Sequence, residues 1–164
     1  MTLGKNVIVG GTLLGAFLCS AAAFAQQPFE NTDCRAGTIS VLAKTDDMFV
    51  QTIDHRGISR STDESKLFDN FTQRCVGVVA SVAGKLSANG WCRLVDPSNG
   101  DAIVLDWTGL GKPGTGTFKF VHGTGKWKGI TGGGEYAPVP GARPVDDGTY
   151  QNCILTKGTL MMPK

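Results

Sequence analysis

Six of the sixteen positions in Val121-His122-Gly123-Thr124-Gly125-Lys126-Trp127-Lys128-Gly129-Ile130-Thr131-Gly132-Gly133-Gly134-Glu135-Tyr136 are glycine. A helix cannot run through such a stretch, because each interior glycine costs about 1 kcal/mol relative to alanine. Glycines at this density suit tight bends where a sheet curls closed. The segment reads as a strand, a glycine turn, a short Trp-Lys-Gly-Ile piece and a second glycine turn.

The pattern elsewhere is also β. Residues 38–43 and 48–53 are rich in Val, Ile, Thr and Phe and flank the turn-like Lys44-Thr45-Asp46-Asp47. Residues 71–82 and 86–95 form two more runs, followed by the strong turn Asp96-Pro97-Ser98-Asn99-Gly100-Asp101. Ile103, Leu105 and Trp107 alternate with Val104 and Asp106, and Phe118 and Phe120 alternate with Lys119 and Val121. The polar stretch 57–70 reads as a long loop, 138–147 as a second, and 149–156 as a last strand. No eleven-residue window holds a helical period. An all-β chain of seven or eight strands with short turns suggests a barrel or a sandwich. The glycine corners favour an antiparallel closed β-barrel of about eight strands.

The amino terminus reads as an address. Lys5 supplies a positive charge, an apolar run spans 7–18, and small residues end in Ala23-Phe24-Ala25 before Gln26. This is the plan of a secretory signal peptide over 1–25, leaving one domain over 26–164 in a periplasmic or secreted setting. No second apolar segment is long enough to be expected as a membrane anchor. Sixteen Lys and Arg against 14 Asp and Glu give a net charge of +2, and the basic residues are scattered, so no nucleic-acid partner is expected.

Beyond the leader stand Cys34, Cys75, Cys92 and Cys153. An even count in an exported domain reads as two disulfides. No Cys-x-x-Cys occurs, and His55 and His122 are distant from every cysteine, so no metal site is expected. A hairpin centred between Ala83 and Gly84 sets Cys75 opposite Cys92. Cys34 and Cys153 remain, near the two ends of the domain, where a closed barrel brings its first and last strands together.

Motifs for chemistry are weak. Gly109-Leu110-Gly111-Lys112-Pro113-Gly114 matches a nucleotide fingerprint in spelling but opens no helix, so no cofactor is expected. Asp96, Ser98 and Asp101 offer oxygens without the twelve-residue calcium loop. Asp54 precedes His55 on a strand, so the two face opposite sides and make no dyad. His122 shares a two-residue period with Phe118 and Phe120, which leaves two readings open: a place at the barrel mouth, or a half-exposed histidine at a strand end. No catalytic residue can be named.

The run from Val121 to Tyr136 resembles the Gly-Thr-Gly-aromatic-x-Gly-Ile-x-Gly pattern of allene-oxide-cyclase-like barrels, a group that includes plant dirigent proteins. Gly90-Trp91-Cys92, the turn at 96–101 and Trp107 extend the resemblance more loosely over 90–136. The cysteines are not part of the plant pattern, which implies an exported bacterial-type branch. The family's cyclases shape an apolar substrate in the barrel cavity, and dirigent proteins guide a radical coupling within one. The resemblance implies a pocket for a small apolar or aromatic ligand, with Trp91, Trp107, His122, Trp127, Glu135 and Tyr136 as its candidate residues; the other reading of the tryptophans is that they fill the core. Three readings stay open: a non-enzymatic ligand-binding barrel, an isomerase or cyclase working by cavity shape, and a structural or interaction domain without a pocket. Oligomeric state is not legible.

Overall fold

The computed structural model describes residues 25–141 and 144–163; the expected leader, apart from Ala25, lies outside them. Eight antiparallel strands follow one another around a closed barrel. They are β1 (Gln27–Lys44), β2 (Met48–Ser61), β3 (Thr72–Val82), β4 (Lys85–Val95), β5 (Ala102–Gly109), β6 (Gly116–Gly123), β7 (Thr131–Pro138) and β8 (Thr149–Met161). One 3-10 turn, Gly125–Trp127, links β6 to β7. Among the described residues no helix is long and apolar enough to cross a membrane.

Register follows the two-residue period. Asn31 faces Thr156, Asp33 faces Ile154 and Arg35 faces Asn152 across the β1–β8 seam, all on the inner face. In the β3–β4 hairpin Val82 pairs with Lys85, and the same register brings Cys75 opposite Cys92. Both expected disulfides are present, Cys75–Cys92 and Cys34–Cys153, with Cα atoms 4.0 and 4.1 Å apart. The first lies within the barrel. The second lies on its outer surface and staples the seam.

Three local expectations are corrected. Residues 57–61 are not loop but the end of β2, which pairs with β1 as far as Asn31↔Ser61. Their polar character misleads because Ser59 points inward and is buried in a polar part of the interior. The second glycine turn is strand β7. Its glycines let β6 and β8 press close: a Cβ on Gly133 would sit 2.1 Å from the Phe118 carbonyl oxygen, and one on Gly134 2.0 Å from that of Lys157. Third, the alternation of β6 breaks before His122. Leu105 pairs with Phe120 but Val104 pairs with His122, leaving Val121 as an extra residue in a β-bulge. The bulge turns His122 outward, where it is exposed.

The two ends of the barrel differ. One is packed with aromatic side chains, chiefly Phe29, Phe68, Phe71, Phe118, Phe120 and Trp127. The other, bounded by the 44–48, 82–85, 109–116 and 138–149 connections, is open.

Candidate functional site

At the closed end Trp127 is the plug. Its ring lies 5.4 Å from that of Phe68 and 5.7 Å, edge to face, from that of Phe71. Its indole Nε1 donates to Asp96 Oδ2 at 3.2 Å, and Lys126 Nζ approaches the same oxygen at 2.6 Å. Asp96 also accepts from the backbone N and Oγ of Ser98. Burial alone would push the Asp96 carboxyl up, but these donors together outweigh it and hold it below the ordinary carboxylate range. The turn at 96–101 therefore clamps Trp127 with its carboxylate.

At the open end lies a cavity of about 260 Å³. Its floor is a polar cluster contributed by β1, β2 and β8. Arg35 donates through Nε to Asn152 Oδ1 at 3.1 Å and through Nη1 to His55 Nε2 at 3.2 Å. Asn152 Nδ2 in turn donates to the Tyr150 hydroxyl at 2.8 Å. The His55 and Tyr150 rings stack with centroids 5.4 Å apart. Both residues pair with Gly37 of β1 on its two sides, and the missing side chain there gives the rings room; a Cβ would meet His55 Cβ at 2.6 Å.

His55 is only 1 % exposed. Burial, then the Arg35 charge beside it, lowers its pKa to about 3, so the ring is neutral. A guanidinium can only donate, so Nε2 accepts and the proton sits on Nδ1. That Nδ1 has no hydrogen-bond partner, and neither has Trp107 Nε1.

Beneath the floor a smaller chamber of about 50 Å³ continues toward the closed end, and Arg35, Trp107 and Tyr136 line both spaces. Asp33 borders this chamber and accepts from Thr156 Oγ1 at 3.0 Å. Burial raises its pKa; hydrogen bonds from Ser59 and Thr156, and the Arg35 charge, oppose the rise without cancelling it. Burial likewise raises the Tyr136 phenol.

The six residues anticipated from the sequence do not converge. Trp107 and Tyr136 line the mouth. The Trp107 indole lies over Gly77 and Gly90, which face each other across β3 and β4; a Cβ on either would meet its ring, at 2.3 and 2.6 Å from Cζ2. Trp127 stands at the opposite, packed end. Trp91 is 58 % exposed on the outer face, beside Val76 and Val104. His122 and Glu135 are exposed as well. Arg35, His55, Tyr150 and Asp33 were not anticipated. The signal for Asp33 and Arg35 was Phe29-x-Asn31-x-Asp33-x-Arg35, a single strand face that changes from apolar to charged within seven positions.

This architecture has counterparts among solved structures. The pterocarpan synthase dirigent protein GePTS1 superposes with a TM-score of 0.51 at 13% sequence identity, over 86% of this chain and 91% of that one. The fold is dirigent-like. A second pterocarpan synthase dirigent protein, PsPTS1, gives a TM-score of 0.49 at 11% identity, over 85% of this chain and 97% of that one. No protein-family model matches the sequence, and no curated protein matches it.

Proposed function

We propose that this dirigent-like barrel is an exported protein, periplasmic or secreted, that binds one small apolar or aromatic molecule at its open mouth. The observation that carries this reading is the mouth itself: a 260 Å³ cavity walled by Trp107, Tyr136 and Tyr150 at one end of a barrel whose other end is closed by aromatic side chains. Aromatic walls with a few placed polar groups are the usual make-up of a ligand site. Export is supported by the two disulfides, which persist in oxidising compartments. Together with the Gly-Thr-Gly run they support a place in an exported, bacterial-type branch of the allene-oxide-cyclase-like and dirigent-like barrels.

Of the three tryptophans only Trp107 borders the mouth. A small aromatic ligand should therefore quench fluorescence saturably in the parent protein and in Trp91→Phe, and the quench should vanish in Trp107→Phe. A broad ligand panel that gives no saturable quench would overturn the reading in favour of an interaction domain.

A second reading, catalysis by cavity shape as an isomerase or cyclase, is favoured by Asp33. A buried carboxyl with a raised pKa at the base of a cavity is a candidate proton donor. Its test is turnover of a bound ligand that is lost in Asp33→Asn while binding is kept.

A further inference from the structure

The residues lining the mouth include Arg35 and Lys112 but no aspartate or glutamate. Arg35 carries five N–H donors, and two of them are engaged, by Asn152 and His55. Among the described residues no carboxylate lies within ion-pair distance of it. The nearest candidate on its own strand face, Asp33, is pushed toward its neutral form by burial. Asp54, beside His55 in sequence, faces outward and holds Arg74 in a two-pronged pair at 2.7 and 3.0 Å. The guanidinium is also fixed in place, with Tyr150 below it at 5.8 Å from the ring centroid.

The walls repeat this imbalance. Among the described residues the buried side-chain atoms without partners, His55 Nδ1, Gln73 Nε2 and Trp107 Nε1, are all donors, and all three residues border the mouth or the chamber beneath it. An orphaned buried donor destabilises the fold until an acceptor reaches it. The mouth thus holds a positioned cation and surplus donors, with aromatic walls and no carboxylate in its own lining; Asp33 borders only the chamber beneath it. At 260 Å³ the mouth is below the ordinary range for drug-sized ligands, roughly 300–1,000 Å³, and suits a single ring.

We propose that the mouth selects a small aromatic carboxylate, with Arg35 as its counter-ion and Lys112 at the rim as a second, weaker attraction. This rests on the ligand-binding reading above and names the ligand's chemical class. The carboxylate takes the free face of the Arg35 fork, and its ring lies against Trp107 and Tyr136. A charge-assisted pair in a partly desolvated site is stronger than a neutral hydrogen bond, so charge, not ring shape, discriminates between ligands of one skeleton.

The test is calorimetric titration of the whole barrel with cinnamate and cinnamamide at pH 7. These share a skeleton and differ in the charge. The carboxylate should bind about tenfold tighter, the scale of one charge-assisted contact. Arg35→Gln should erase that preference while keeping the amide's affinity. Arg35→Lys should retain part of it, because the charge survives without the fork. Lys112→Gln, in an exposed loop, tests the rim without touching the floor and should weaken only cinnamate, about two- to threefold, and less at high salt. Equal affinity for both probes in the parent protein, or a preference that survives Arg35→Gln, overturns the inference and leaves the ligand-binding reading standing. If neither probe binds, the inference falls, and the ligand-binding reading is decided by the broad fluorescence panel.

Discussion

The two ends of this barrel are built from the same strands and do opposite things. At the closed end the inward positions are Phe29, Phe118, Phe120, Leu94 and Leu160, and a 3-10 turn drives Trp127 in as a plug. At the open end the inward positions of the same β1 and β8 are Arg35, Asn152 and Tyr150, and β2 supplies His55. One end spends its side chains on packing. The other leaves a charge, unpaired donors and free space. Between them sits a polar belt of Asn31, Asp33, Ser59, Gln73 and Thr156, all buried. Stability should therefore concentrate at one end and recognition at the other.

The sharpest way to break that division is Trp127→Ala. Removing a 93 %-buried indole from between Phe68 and Phe71, together with its bond to Asp96, should cost about 3–5 kcal/mol in chemical denaturation. Ligand affinity of the folded fraction should be unchanged; a selective loss of binding would show that the ends are coupled. Next comes the seam. Replacing Cys34 and Cys153 with serine should cost about 2–5 kcal/mol, since the bond closes a loop with a sequence separation of 119. A value near zero would mean that the β1–β8 hydrogen bonds alone close the barrel.

Smaller effects belong to the mouth. His55 has its pKa lowered to about 3 in the folded barrel, from an ordinary 6.5. As pH falls through 6.5 the unfolded chain takes up this proton and the folded one does not, so stability should drop between pH 6.5 and pH 3. By pH 5 the loss is about 2 kcal/mol, at about 1.4 kcal/mol per pH step. The raised Asp33 pKa acts with the opposite sign, favouring the folded state as pH falls. The difference between the parent protein and His55→Gln isolates the histidine. Identical pH profiles for the two would place a protonated ring in the folded state. The smallest change in stability is expected for Tyr136→Phe, within about 0.5 kcal/mol, as for a side chain outside any bonded network. Its readout is the ligand titration, where a change in affinity without a change in melting temperature would sharpen the contrast.

Much of the frame was legible because strand alternation and turn chemistry are local. The turn at Ala83-Gly84 fixes the β3–β4 register, and the register brings Cys75 to Cys92. What escaped was whatever depends on neighbours across the sheet. A run of glycines reads as a turn until two strands are seen leaning on it, as β6 and β8 lean on β7. A single extra residue, Val121, reverses which way His122 points, and nothing local marks the bulge. The candidate site was harder still. Aromatic residues attract attention as ligand walls, yet Trp91 faces out and Trp127 fills the core. Polar residues on a strand read as outward, yet Asp33, Arg35, His55 and Ser59 point in. A barrel interior can hold polar groups if they satisfy one another, and that cannot be read one strand at a time.

The two disulfides sit on opposite sides of the barrel wall. Cys75 is fully enclosed, whereas Cys34 lies on the solvent side. Thiol exchange requires a thiolate to reach a sulfur, so a soluble reductant meets the seam first and the inner bridge only once the wall opens. The molecule thus loses its covalent closure in a fixed sequence, from a hoop to an openable band that still carries its inner clasp.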